Sequence, residues 1–208
     1  MKQATEFIVH PGWKMLIADM GISPADVLSL ASLPADLFAR EGASLNVGEY
    51  FALWSGLEKA AEGNELPLLI GQAISVEAFD PPIFASLCSC NLNIAMQRLS
   101  EFKRLIGPMF LSVDIDSSHT IISIDCYQHS EKIPRSLGTT ALVFLTKLAR
   151  LATREEIIPR QVILAKQVEN IAMYESYFGT SISIGDRNQV VFSAEDSLRP
   201  FLTENMGM

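Results

Sequence analysis

The chain has 208 residues, 49% of them hydrophobic and 19% charged, and a formal net charge of −8. This balance describes a packed globular protein and excludes a disordered one. Its acidity excludes nucleic-acid binding by this segment itself, because phosphate affinity rests on clustered Lys and Arg; the 16 basic residues are scattered, and Lys103-Arg104 is their one adjacent pair.

No stretch reaches the ~18 uninterrupted apolar residues needed to span a bilayer. Met1 to Glu6 lacks the apolar core and small-residue cleavage site of a secretory signal. Cys88, Cys90 and Cys126 make an odd set with no disulfide framework, so the expected compartment is the cytoplasm.

The first half reads as helical. Trp13, Leu16, Ile17 and Met20 follow helical spacing, with Gly21 as a C-terminal stop. Ser23 is the expected N-cap of a second helix, with Pro24 at its first position. Pro34 begins a short piece carrying Leu37 and Phe38. Asn46 caps the next helix, whose inner face holds Tyr50, Leu53, Trp54 and Leu57 and which ends near Gly63. Leu66 to Phe79 reads as one apolar helix, interrupted by Asp80-Pro81-Pro82.

After the short apolar run Ile83 to Cys88, Asn91 opens the most strongly periodic helix. Leu92, Ala95, Met96, Leu99, Phe102 and Leu105 or Ile106 recur at steps of three and four. Phe102 is expected to be central in that core-facing stripe, and Glu101 to be exposed. Gly107-Pro108 ends it.

The period then changes to two. Phe110 to Asp114 and Thr120 to Tyr127 read as a hairpin joined by Asp116 to His119. Ser136 to Ala152 is a helix with Ala141, Phe144, Leu145 and Leu148 inward. Gln161 to Lys166 is a strand and Glu169 to Phe178 a helix. Segments 181–184 and 189–193 form a hairpin turning at Gly185-Asp186-Arg187-Asn188. The expected fold class is α+β: a helical N-terminal half packed on a mixed sheet formed by a ββαβαββ C-terminal half. No linker or repeat divides it, so residues 1–208 are expected to be a single domain.

Catalytic motifs are missing: there is no P-loop, dinucleotide glycine fingerprint, Gly-x-Ser-x-Gly elbow or zinc-protease helix. Cys88, Cys90, Cys126 and His129 have the softness to bind zinc, but one residue separates the first pair where two to four are usual, so no metal site is expected. Asp125 and Cys126 are strand neighbours and face opposite sides, so they could not cooperate directly.

Arg98 lies beside the apolar stripe of its helix. It either holds a ligand carboxylate or phosphate in a cavity, or lays its stem over Leu99 with its head in water. Trp13 and Trp54 are pocket walls or core. Asn91, Tyr127 and Trp54 accompany Arg98 as candidate lining residues of a cavity between the helical half and the sheet.

The end of the chain carries the most specific pattern. Tyr174-Glu175-Ser176-Tyr177-Phe178-Gly179 is preceded by Pro159, Val162 and Leu164 and followed by Ile182, Ile184, Asn188, Val190, Phe192, Leu198 and Pro200. With Gly21-Ile22, Val27-Leu28, Leu33-Pro34, Tyr50 to Trp54, Leu66-Pro67-Leu68, Gly71, Phe84 to Cys88 and Gly107-Pro108, it resembles the N-terminal effector domain of the AraC/XylS transcription factors. That resemblance implies a bacterial regulator whose domain senses a small molecule, forms a homodimer, or both. A helix-turn-helix region normally follows in that family. It is expected to be absent from this chain, which would then meet DNA only through it. No cofactor, catalytic residue or membrane contact is implied. The alternatives are a small cytosolic thiol-dependent enzyme using Cys126 or Cys88, and a ligand-free dimerisation module.

Overall fold

A computed structural model describes residues 4–10, 12–73, 81–127 and 133–205. The helical half begins with strand β1 (Phe7–Ile8) and helices α1 (Gly12–Asp19) and α2 (Pro24–Leu30), then a single 3-10 turn at Leu37–Ala39. Strand β2 (Ser44–Leu45) pairs with β1 and leads into α3 (Val47–Ala60). Helices α4 (Leu66–Ala73), α5 (Pro81–Leu87) and α6 (Leu92–Ile106) follow.

Local chemistry places the helix starts where the sequence puts them. Ser23 Oγ accepts from Asp26 N and Pro24 opens α2. At α3, Asn46 and Glu49 cap each other's backbone N–H groups reciprocally, both at 2.9 Å. Asn91 Oδ1 accepts from Ile94 N at the head of α6. Gly21, with φ +75°, makes the left-handed turn after α1. Of the run read as one helix over Leu66 to Phe79, Leu66 to Ala73 is helical and the remainder lies outside the described residues.

The second half contains β3 (Met109–Ile115), β4 (His119–Cys126), α7 (Arg135–Thr153), β5 (Gln161–Leu164), α8 (Ile171–Phe178), β6 (Ile182–Ile184), β7 (Asn188–Ser193) and the short α9 (Ala194–Leu198). The five strands lie in the order β3-β4-β7-β5-β6. Only β5 and β6 run parallel, which makes the sheet mixed and the fold α+β.

Register aligns an apolar row through Ile122, Val190, Val162 and Ile182, with the Leu111–Ile124 pair beside it on the same face. Leu111 faces Ile124, Ile122 faces Val190, Val190 faces Val162, and Val162 faces Ile182; all are buried. Helices α6 and α7 cover this row. Asn93 of α6 accepts from the Thr120 hydroxyl of β4 at 2.7 Å, and Gly138 of α7 lies so close to Asn188 of β7 that a Cβ would come within 2.3 Å of the Asn188 side chain. On its other side α7 receives α4, with Gly71 against Val143.

Two expectations need correction. The terminal strands are not a hairpin, because β5 lies between β6 and β7. After β6 the chain crosses the end of β5, where Gly185 N donates to Leu164 O at 3.0 Å. A Cβ on Gly185 would stand 2.7 Å from Ile163 Cγ2, so the crossing needs glycine's bare backbone. A short polar turn between two apolar runs looks alike whether it closes a hairpin or steps over a strand.

The second correction concerns α6. Leu92, Ala95, Met96 and Leu99 are fully buried, but Phe102 is 37% exposed and Leu105 47%. Periodicity identifies the face that turns inward; it does not say for how many turns a neighbour covers that face.

Candidate functional site

The Tyr174 to Gly179 segment forms α8 and its stop. Gly179, at φ +76°, is the left-handed C-terminal residue. Tyr174 and Phe178, one turn apart, are fully buried. Tyr177 donates its hydroxyl to Val143 O at 2.9 Å, which ties α8 to the middle of α7. Burial pushes the Tyr177 hydroxyl up to about 12, partly offset by Arg150. Arg150 completes this end: its guanidinium donates to the carbonyls of Ile157, Tyr177 and Phe178 and lies 5.1 Å from the Tyr177 ring centroid. A cation over the exposed carbonyls of a helix end is favourable on both counts.

Tyr174 reaches the helical half. Its hydroxyl donates to Glu65 Oε2 at 2.6 Å, and Glu65 Oε1 accepts from Asn170 N at 2.7 Å. Glu65 is buried just before α4, so its carboxylate is held at the N-terminus of α8, where the helix dipole favours negative charge. Burial, then the hydrogen bond it donates to Glu65, pushes the Tyr174 hydroxyl well above the usual tyrosine range.

Beside it, Arg135 at the head of α7 donates from Nε to Glu58 Oε1 of α3 at 2.6 Å, with Nη2 on the same oxygen. Nη2 also reaches Glu169 Oε1 at 3.3 Å. Burial alone would lower the Arg135 pKa, but Glu58, Glu169 and Glu65 together raise it. The two halves are therefore joined by one guanidinium among three carboxylates. Outside this joint an open groove of about 490 Å³ runs between α4 and α8, lined by Leu68, Gln72, Asn170, Met173, Ser176 and Tyr177 among others.

The four residues singled out in the sequence are not brought together in that groove. Asn91 serves as the α6 cap. Arg98 bonds from Nη1 to Ser89 Oγ at 3.2 Å and to Ala85 O at 3.5 Å, tying α6 to α5 and the loop after it. Tyr127 donates to Ala4 O at 2.9 Å and fastens the N-terminal segment. Trp54 is buried in an aromatic cluster, edge-on to Trp13 at 5.7 Å and to Tyr50 at 6.3 Å. Its indole Nε1 is buried with no hydrogen-bond partner among the described residues.

Cys126 donates its thiol to Pro108 O at 2.8 Å, and burial, reinforced by Asp125, pushes it up to about 12. Such a thiol is protonated at neutral pH and a poor nucleophile. His129, its possible base, lies outside the described residues.

Glu58, Glu65 and Arg135 were not legible as a joint, since they are separated by up to 77 positions. A usable signal was the group of hydroxyls Ser136, Thr139 and Thr140 in the first two turns of α7.

The sequence profile of the arabinose-binding domain of AraC transcription regulators, N-terminal, matches residues 21–201. The chain belongs to this family. An AraC regulatory domain is thus the frame in which these contacts act, and the match spans both halves and the joint between them. Comparison with curated protein sequences yielded no match. Among solved structures the AraC domain is similar to the transcriptional regulator CdpR from Pseudomonas aeruginosa, at 14% identity with a TM-score of 0.64. At that identity the likeness is one of fold. It covers 94% of this chain and 58% of CdpR, so the chain spans little more than half of that regulator's length. Among the described residues, no helix is long and apolar enough to cross a membrane.

Proposed function

We propose that this AraC domain is a cytoplasmic, non-enzymatic sensor of a small molecule, which dimerises and controls a helix-turn-helix region that lies outside the 208 residues. The observation that carries this reading is the polar joint between the halves. Glu65 of the helical half is held by Asn170 and Tyr174 of the second half, and Arg135 of the second half by Glu58 of the first, so a ligand that shifts one half against the other must change their bonding. Regulation is then a population shift. A 100-fold preference for one arrangement is worth about 2.7 kcal/mol, enough to reverse two nearly balanced states. Two linked copies would present their DNA-binding regions to half-sites differently in each state.

The test is a thermal-shift screen of small metabolites on the 208-residue protein, with titration calorimetry of the hits and sedimentation for the dimer. An effector at about 100 times its Kd adds about 2.7 kcal/mol, which for a domain of this size raises the melting temperature by roughly 5–10 °C. A protein that stays monomeric and is stabilised by no compound would refute both sensing and dimerisation.

A further inference from the structure

We propose that Ser136, Thr140 and Trp54 form the effector site, and that it takes an uncharged molecule presenting a carbonyl or hydroxyl oxygen on a flat apolar body. This rests on the sensing reading above and assigns it a place and a ligand chemistry.

Helix α7 starts at Pro134, which provides no side-chain cap, so the first-turn N–H groups receive no capping side chain. Ser136 and Thr140 lie in its first two turns, four residues apart and so on one face. Both side-chain oxygens are buried with no hydrogen-bond partner among the described residues. Threonines of the same helix show the ordinary alternative: Thr146 donates to Leu142 O at 3.0 Å and Thr153 to Ala149 O at 2.8 Å. Thr140 does not make that bond.

The face they share continues to Val143, which meets Gly71 of α4, so it looks into the helical half. Helix α3 also packs against α7. Glu58 is bonded to Arg135, the residue next to Ser136, and Trp54 lies one turn before Glu58 on the same face of α3. Buried polar groups without partners are rare in folded proteins. Here two such hydroxyls lie on one face of α7, and an indole N–H lies on α3, which packs against α7.

Their chemistry selects the ligand. An indole N–H only donates, so it needs an acceptor oxygen. Among the described residues the flanking charges are Glu58, Glu65 and Glu169 around Arg135, a net negative set that repels an anion. The ring cluster of Phe7, Tyr50, Trp54 and Trp13 supplies a flat apolar wall.

The experiment follows the indole N–H resonance of Trp54, assigned with Trp54→Phe, in the ¹⁵N-labelled 208-residue protein. Benzamide, benzoate and toluene are titrated as a neutral acceptor, an anion and an apolar control. Benzamide is expected to shift this resonance saturably and to bind roughly tenfold or more tighter than the other two. Ser136→Ala with Thr140→Val is expected to weaken benzamide by a similar factor while circular dichroism shows the fold retained. Thr140→Val alone is expected to raise the ligand-free melting temperature, because it removes a buried hydroxyl that has no partner.

A lowered melting temperature in Thr140→Val would overturn the proposal by showing the hydroxyl already satisfied in solution. An unmoved Trp54 resonance, or preference for benzoate, would overturn it too. An effector from the screen that stabilises the protein with undiminished affinity in the double variant would leave the sensing function standing and remove the site to elsewhere, such as the α4–α8 groove. A screen without any binder would remove both.

Discussion

Single polar side chains carry much of the specificity of this fold. Tyr174 and Glu65 satisfy each other in the interior at 2.6 Å. Tyr174→Phe is expected to cost about 1–3 kcal/mol in a denaturant titration, since it leaves a buried carboxylate short of a donor; an unchanged midpoint would mean that Glu65 is solvated instead. The thiols give a second test. Cys90 is exposed and is expected to react first with a thiol reagent at pH 8. Cys126, protonated and bonded to Pro108, should lag. The same burial sets an alkaline limit. Cys126 and Tyr177 are raised from ordinary values of 9.0 and 10.0 to about 12. Groups raised on folding stabilise the fold fully below their unfolded values, and that contribution is lost as pH rises through the folded ones. Stability is therefore expected to hold to about pH 8.5 and to fall from there towards pH 12. Urea midpoints that rise across that window would contradict these protonation states.

At the scale of the element, α6 separates pattern from environment. Leu99 and Phe102 belong to one apolar stripe, yet Leu99 is fully buried and Phe102 is not. Leu99→Ala is expected to cost about 2–5 kcal/mol and Phe102→Ala clearly less, because an exposed ring leaves a smaller cavity. Equal losses would place Phe102 back in the core. Helix α3 offers a case of opposed effects. Alanine at Gly56 gains about 1 kcal/mol of helix propensity, but its Cβ would stand 2.7 Å from the Val27 carbonyl and 2.9 Å from Ala31 Cβ. Backbone cannot swing aside as a side-chain tip can. Gly56→Ala is therefore expected to destabilise by a net ~1–3 kcal/mol, measurable by thermal melting; a stabilised variant would show that α2 can slide on α3.

Over the whole molecule, the joint between the halves and the acidic surface set what the domain can do. Arg135→Ala is expected to cost about 2 kcal/mol, because Glu58 loses its counter-charge in a half-buried site beside Glu65. Calorimetric unfolding that remains as stable as wild type would show the joint to be incidental. With a net charge of −8, the 208-residue protein should give no mobility shift with duplex DNA at micromolar concentration and ~150 mM salt. A shift there would mean that its few cations cluster into a phosphate-binding surface.

Local signals were legible from the chain alone. Capping residues such as Ser23, Asn46 and Asn91 act within four positions, and so do the helical and strand periods, because their physics is that of adjacent backbone groups. The ββαβαββ order, the α+β class and the family pattern around Tyr174 to Gly179 followed from them. The tertiary structure decided whatever depends on residues far apart in sequence. It inserted β7 between β4 and β5, since strand pairing is a contest among distant partners. It left Phe102 partly exposed, since coverage depends on where neighbouring elements end. And it joined Glu58, Glu65 and Tyr174 around the head of α7 through charge and hydrogen bonding, which no local period encodes.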